Sequence, residues 1–169
     1  MTTTQQDLAL FILRIAIGIS ILFHGGNKIS GGISGTASWF ESIGMRQPRI
    51  QAVTAATTEI IVGLLLIVGL LTEFASAGLI AVMIVAIFSA HLRNGYFIFR
   101  KGEGWEYCFA IVVVALALGL SGPGKWSLDN YFDRSFFGWR SGIIACVLGV
   151  FASVLQLTIF WRPQPRVDK

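Results

Sequence analysis

Residues 8–32 read LALFILRIAIGISILFHGGNKISGG. From Leu8 to Phe23 the run is apolar except for Arg14 and Ser20, and it closes on His24, two glycines, Asn27 and Lys28. A bilayer core of about 30 Å takes roughly 20 apolar residues of helix, so the stretch predicts a membrane span over 8–29. Its ending is unusual. A plain span closes on a charged flank, whereas His24-Gly-Gly-Asn-Lys28 combines a titratable ring, a cation and two residues that permit close backbone approach.

Working outward, four more apolar segments lie at about 51–71, 74–92, 105–120 and 141–161, the fourth span of the chain being short. Charged residues make up 13% of the 169 and hydrophobic ones 54%, with a mean hydropathy of +0.72. Soluble domains carry about twice that share of charge. The expected class is therefore all-α, a transmembrane helical bundle of five spans. Thr72 and Glu73 are expected to form the whole turn between the second and third spans, and residues 30–50 a long loop with Trp39 and Phe40 in the interface.

The net charge of +4 fits basic loops better than nucleic-acid binding, because no basic patch interleaved with aromatics is present. Lys28, Arg46, Arg49, Arg93, Arg100, Lys101, Arg162, Arg166 and Lys169 fall on one side of the predicted topology, and Lys125, Arg134 and Arg140 on the other. The asymmetry predicts an outside N-terminus and a cytoplasmic C-terminus. The first apolar run has no Lys or Arg before it and no cleavage site after it, unlike a cleavable signal. Cys108 and Cys146 sit singly in apolar runs and read as small buried hydrophobes.

Ionisable groups inside a bilayer cost several kcal/mol by insertion scales, so they mark the places to look for chemistry. They are Arg14, His24 and Lys28 in the first span, Glu59 in the second, His91 with Asn94 at the end of the third, and Trp105 with Glu106 opening the fourth. Chain direction brings His24, Lys28, Glu59, His91, Asn94 and Glu106 toward one membrane face. Arg14 lies within about 40° of Lys28 on the same helix, deeper in the bilayer. Each has a structural reading too. Arg14 and Glu59 would make a buried ion pair, the histidines would cap helix ends, Lys28 would anchor at the interface, and Glu106 would favour a helix N-terminus. No metal is expected, since neither H-x-x-E nor E-x-x-H spacing occurs, and no phosphate loop, flavin or haem motif is found.

LRIAIGISILFHGGNKI, EIIVGLLLIVGLLTEFAS, AHLRNGYF, the WE pair at 105–106 and GPGKWSLD, in this order, resemble the DoxX family of small bacterial membrane proteins, with its DoxD-like subunits. The resemblance covers about residues 8–131. It implies a four-helix core domain over 1–131 in the bacterial cytoplasmic (inner) membrane, with 132–169 adding the fifth span and a basic tail. It also implies a link to quinone-dependent sulfur oxidation or to thiol and oxidative-stress complexes. On that reading Glu59, Glu106 and His91 are the catalytic candidates, while His24, Lys28, Arg14, Asn94 and Trp105 bind a quinone. Glu73 departs from the family pattern, where a basic residue is expected after LLT. Partners would be membrane lipids and other protein subunits, met through the fifth helix and the third loop (RNGYFIFRKGEG); no nucleic acid is expected. The competing readings are a non-catalytic scaffold subunit and a small transporter.

Overall fold

The computed structural model describes residues 3–134 and 137–163. Among these there are seven α-helices: α1 (Thr3–Ser30), α2 (Ile33–Ser42), α3 (Pro48–Val68), α4 (Thr72–Ala86), α5 (Glu106–Ser121), α6 (Leu128–Tyr131) and α7 (Trp139–Phe160). Four helical stretches are long and apolar enough to cross a membrane: Thr3–Ser30, Pro48–Val68, Thr72–Asn94 and Trp139–Phe160. The fifth, α5, has 16 residues and reaches only about 24 Å at 1.5 Å per residue.

Local signals set the boundaries. Pro48 opens α3, where its missing N–H costs nothing, and Gly69 closes it in the left-handed conformation that caps helices. The turn to α4 is therefore residues 69–71, and Thr72 and Glu73 belong to the first turn of α4 rather than to the connection. The predicted loop over 30–50 also differs: it contains α2, which buries Ala37 and Phe40. Trp39 and Phe40 are thus neighbours on a helix, with Phe40 packed inward.

Helix α1 runs antiparallel to α3 in a register fixed by small residues. A Cβ at Gly18 would stand 2.8 Å from the Gly63 carbonyl oxygen, and one at Gly25 would stand 2.9 Å from that of Ala56. Such backbone approach is how helices associate where lipid is as apolar as the side chains. Helix α7 packs on α4 by the same device, Gly149 lying against Ala77, and Ala145 touches Gly119 of α5. Ile21, Val62, Leu66, Leu79, Ala115, Leu118 and Ala145 are at the centre of the core.

The end of α7 is tied to the segment between α2 and α3. The Arg46 N–H donates to the Phe160 carbonyl at 2.6 Å, and the Trp161 indole donates to the Ile43 carbonyl at 2.9 Å. The first loop and the end of α7 therefore share one end of the bundle, as the topology requires. The tail residues Arg166 and Lys169 lie outside the described residues.

Candidate functional site: a polar-headed cavity inside the bundle

At that end lies a cavity of about 300 Å³. Its walls are mainly apolar, from α1, α2, α3, α4, α5 and α7, and its polar groups include His24, Lys28, Glu59, His91 and Tyr107. Lys28 Nζ lies 2.6 Å from Glu59 Oε2 and 2.8 Å from Oε1. Side chains on a helix tilt toward its N-terminus, so Lys28 reaches back from the end of α1 into the bundle. Glu59 is 5% exposed. Burying a carboxylate that dry is costly without a partner of opposite charge, and Lys28 supplies it.

His91 enters through an irregularity. Helix α4 continues into a π turn, Ile87–His91, and then a short 3-10 turn, Leu92–Asn94. A π turn admits an extra residue and rotates the rest of the helix by about 100° relative to an uninterrupted one. His91 is 8% exposed, and its ring meets that of Tyr107 edge-on at 5.9 Å. Its Nδ1 lies 2.9 Å from the Glu103 carbonyl oxygen. A carbonyl only accepts, so Nδ1 carries the proton, and Nε2 of the neutral ring keeps its lone pair for a ligand.

The structure therefore brings four of the sequence-predicted residues, His24, Lys28, Glu59 and His91, to one cavity. The others stand elsewhere. Asn94 Nδ2 donates to the carbonyls of Ala90, Gly102 and Glu103 and so fastens the third loop. Glu103 is left-handed at φ 59°, a conformation held by the bonds its carbonyl accepts. Trp105 packs edge-on against Tyr96 and Phe109, and Glu106 accepts from the Ile98 N–H at 3.2 Å. These three residues shape the loop beside the cavity without lining it.

Arg14 is the clear correction. It does not pair with Glu59 and lies toward the opposite end of the bundle. Its side chain is fully buried: Nη1 donates to the Leu66 carbonyl at 3.0 Å and Nη2 to the Trp126 carbonyl at 2.5 Å. Asp129, whose charge acts on Arg14, accepts from the Leu71 N–H at 2.8 Å and from the Thr72 N–H and hydroxyl at 2.9 Å. It thereby caps the N-terminus of α4. Glu73, the departure from the family pattern, meets Arg134 at 3.5 Å. This cluster ties four helical segments together and is structural.

Sequence reasoning missed Tyr107 and Gln156. Tyr107 follows Glu106 by one residue, which on a helix turns it about 100° toward the interior. Gln156 of α7 donates to Gln51 of α3 at 2.7 Å. Two amides in apolar spans of opposite direction were the available signal. Among the described residues, no group of three or more His, Cys, Asp or Glu side chains is gathered to hold a metal ion.

A sequence profile of the DoxX family matches residues 9–92. An uncharacterized membrane protein of Mycobacterium tuberculosis is 31% identical over 130 residues, 72% of this chain and 80% of its own. The chain belongs to the DoxX family. An uncharacterized protein of Haemophilus influenzae is 30% identical over 139 residues, 78% of this chain and 87% of its own. No solved structure matches the chain. The DoxX profile contains all the helix segments that bring His24, Lys28, Glu59 and His91 to the cavity, and it ends before α5 and α7, which add Tyr107 and Gln156.

Proposed function

We propose that this DoxX protein is an accessory subunit of a larger membrane complex and holds the head of a quinone in the Lys28–Glu59–His91 cavity. The observation that supports this most is the pairing, in one apolar chamber, of a strong donor with a free acceptor. A quinone head is a flat apolar ring whose carbonyls accept hydrogen bonds and whose reduced hydroxyls donate them. Lys28 Nζ suits the first state and His91 Nε2 the second. The volume sits at the lower end of ligand pockets, about 300 Å³, which suits a single ring.

When bound, a quinone supplies two-electron redox chemistry coupled to two protons. Lys28 orients a carbonyl oxygen, His91 takes or gives a proton at Nε2, and Glu59, paired with Lys28, keeps the cation in place and exchanges a proton with it. Glu59 and His91 thus keep their roles as catalytic candidates; Glu106 is reassigned to holding the third loop. The electron donor, of sulfur or thiol chemistry by family resemblance, belongs to a partner subunit meeting the third loop and α7. A scaffold reading has one observation in its favour: Lys28 and Glu59 satisfy each other directly and join α1 to α3.

The test is quinone titration of the purified protein in lipid nanodiscs. Saturable binding is expected, with His91→Leu raising Kd by about tenfold, worth about 1.4 kcal/mol, and Asn94→Ala, which frees the same Glu103 carbonyl from outside the cavity, leaving Kd unchanged. Equal affinity in His91→Leu and wild type would remove the proposal.

The proposed setting is the bacterial inner membrane with the cavity end facing the cytoplasm. The support is the clustering of Lys28, Arg46, Arg49, Arg93, Arg100, Lys101 and Arg162 at that end. A reporter fused after Lys169 is expected to read cytoplasmic; a periplasmic signal would invert the arrangement.

A further inference from the structure

We infer that the cavity is filled from the bilayer through a portal between α3 and α7, and that the apolar tail of its ligand lies in that portal. The identity of the ligand as a quinone rests on the reading above; the portal itself rests on the shape of the cavity.

The cavity is lined by residues of two kinds. The Lys28–Glu59 pair and His91 are polar. Thr54 and Thr58 of α3, Gly78 and Ala81 of α4, and Ala152 of α7 are small. Of these, Thr54 and Ala152 are exposed on the outside of the bundle while also lining the chamber, as His24 of α1 and Trp39 of α2 are away from the α3–α7 side. A residue that does both marks an opening. The lipid-facing residues on either side are large and exposed, Ile61 on α3 and Leu148 and Leu155 on α7, so the small pair interrupts an otherwise bulky wall.

The depth of the opening decides what passes through it. Thr54 is six residues inside the start of α3 and Ala152 eight residues before the end of α7. At 1.5 Å per residue these lie about 9–12 Å below the helix ends. That is hydrocarbon depth in a core about 30 Å thick, so the opening faces lipid tails rather than water. Above it the gap is sealed. Gln156 bonds to Gln51 across the two helices at 2.7 Å, and the Arg46–Phe160 and Ile43–Trp161 bonds close the end of the bundle. A molecule that enters between α3 and α7 therefore comes from the lipid, and one that carries a chain leaves it in the Thr54–Ala152 gap. Helix α7, beyond the family profile, is one wall of this route.

The experiment fills the gap and reads two independent signals. Ala152→Trp puts a large ring in the opening; Val147→Trp, on the exposed outer face of α7, is the control. In nanodiscs, Ala152→Trp is expected to weaken a prenylated benzoquinone by about tenfold and its tail-less head by less than about twofold, with Val147→Trp moving neither. Separately, Thr58→Cys is exposed to a membrane-dissolved maleimide and to a charged, membrane-impermeant one, with labelling read at that position by peptide mass spectrometry. The membrane-dissolved reagent is expected to react faster, and Ala152→Trp to slow it by about tenfold. Labelling indifferent to Ala152→Trp, or favouring the charged reagent, overturns the portal. Equal loss of tailed and tail-less quinone in Ala152→Trp overturns the tail site. If wild type binds neither quinone yet labelling keeps the expected pattern, the quinone reading falls and the portal stands for another membrane-dissolved ligand.

Discussion

Arg14→Met is expected to lower the stability of the bundle by about 3–5 kcal/mol, the range for removing one member of a buried charge network. Methionine comes close to the arginine stem in length and fills much of the same space, so the loss falls on the polar end. The Leu66 carbonyl keeps the Gly69 N–H as a partner at 3.3 Å, but the Trp126 carbonyl loses the donor at 2.5 Å. Asp129 keeps its helix-capping bonds and a loose contact with Arg134 at 3.7 Å, while the buried guanidinium that balanced it is gone. Unfolding in mixed micelles, as the denaturing detergent fraction is raised, measures this directly. Because Arg14 and Asp129 share one network, Arg14→Met and Asp129→Asn should fall well short of adding. A loss below about 1 kcal/mol would show that the cluster is an incidental neighbour of the packing.

The second large effect separates the lock from the site. Lys28→Met leaves the Glu59 carboxylate, with 6% of its side chain exposed, without its cation. Lys28 is 20% exposed and partly solvated, so the expected cost is about 2–3 kcal/mol, below that of a fully buried pair. Adding Glu59→Met should restore stability to within about 1 kcal/mol of wild type, because a buried ion pair replaced by apolar groups of similar volume is often neutral. Quinone affinity should not return with it. The double variant would be folded, stable and empty of donor and carboxylate alike. If it binds quinone as wild type does, the pair is only a brace between α1 and α3 and the scaffold reading takes its place.

The spans were legible because twenty-residue apolar runs have few alternatives, and chain direction alone brought His24, Lys28, Glu59 and His91 to one end. Arg14 was misjudged for a specific reason. Its angular position on α1 matches that of Lys28, but what it meets on α3 depends on the register, and that is set by Gly18 lying on Gly63 and Gly25 on Ala56. No single helix carries that information. Helix α2 was hidden in GISGTASWFES, whose glycines and serines read as loop while its buried Ala37 and Phe40 find partners only after folding. The π turn before His91 has no sequence signature here, yet it sets the direction of the ring. Glu106 drew attention through its charge; Tyr107 beside it is the residue that faces inward.

The Arg14 cluster also bears on how the chain is made. The guanidinium sits in the first span, and its closest acceptor lies 112 residues later, at Trp126. At about 5–20 residues per second, translation needs on the order of ten seconds to supply that partner. For that interval the guanidinium has the Leu66 carbonyl of α3 to donate to, but neither the Trp126 carbonyl nor the charge of Asp129. The N-terminal helices therefore remain an unfinished assembly until GPGKWSLD emerges, and a ribosome stalled after α4 would leave a substrate for membrane quality control.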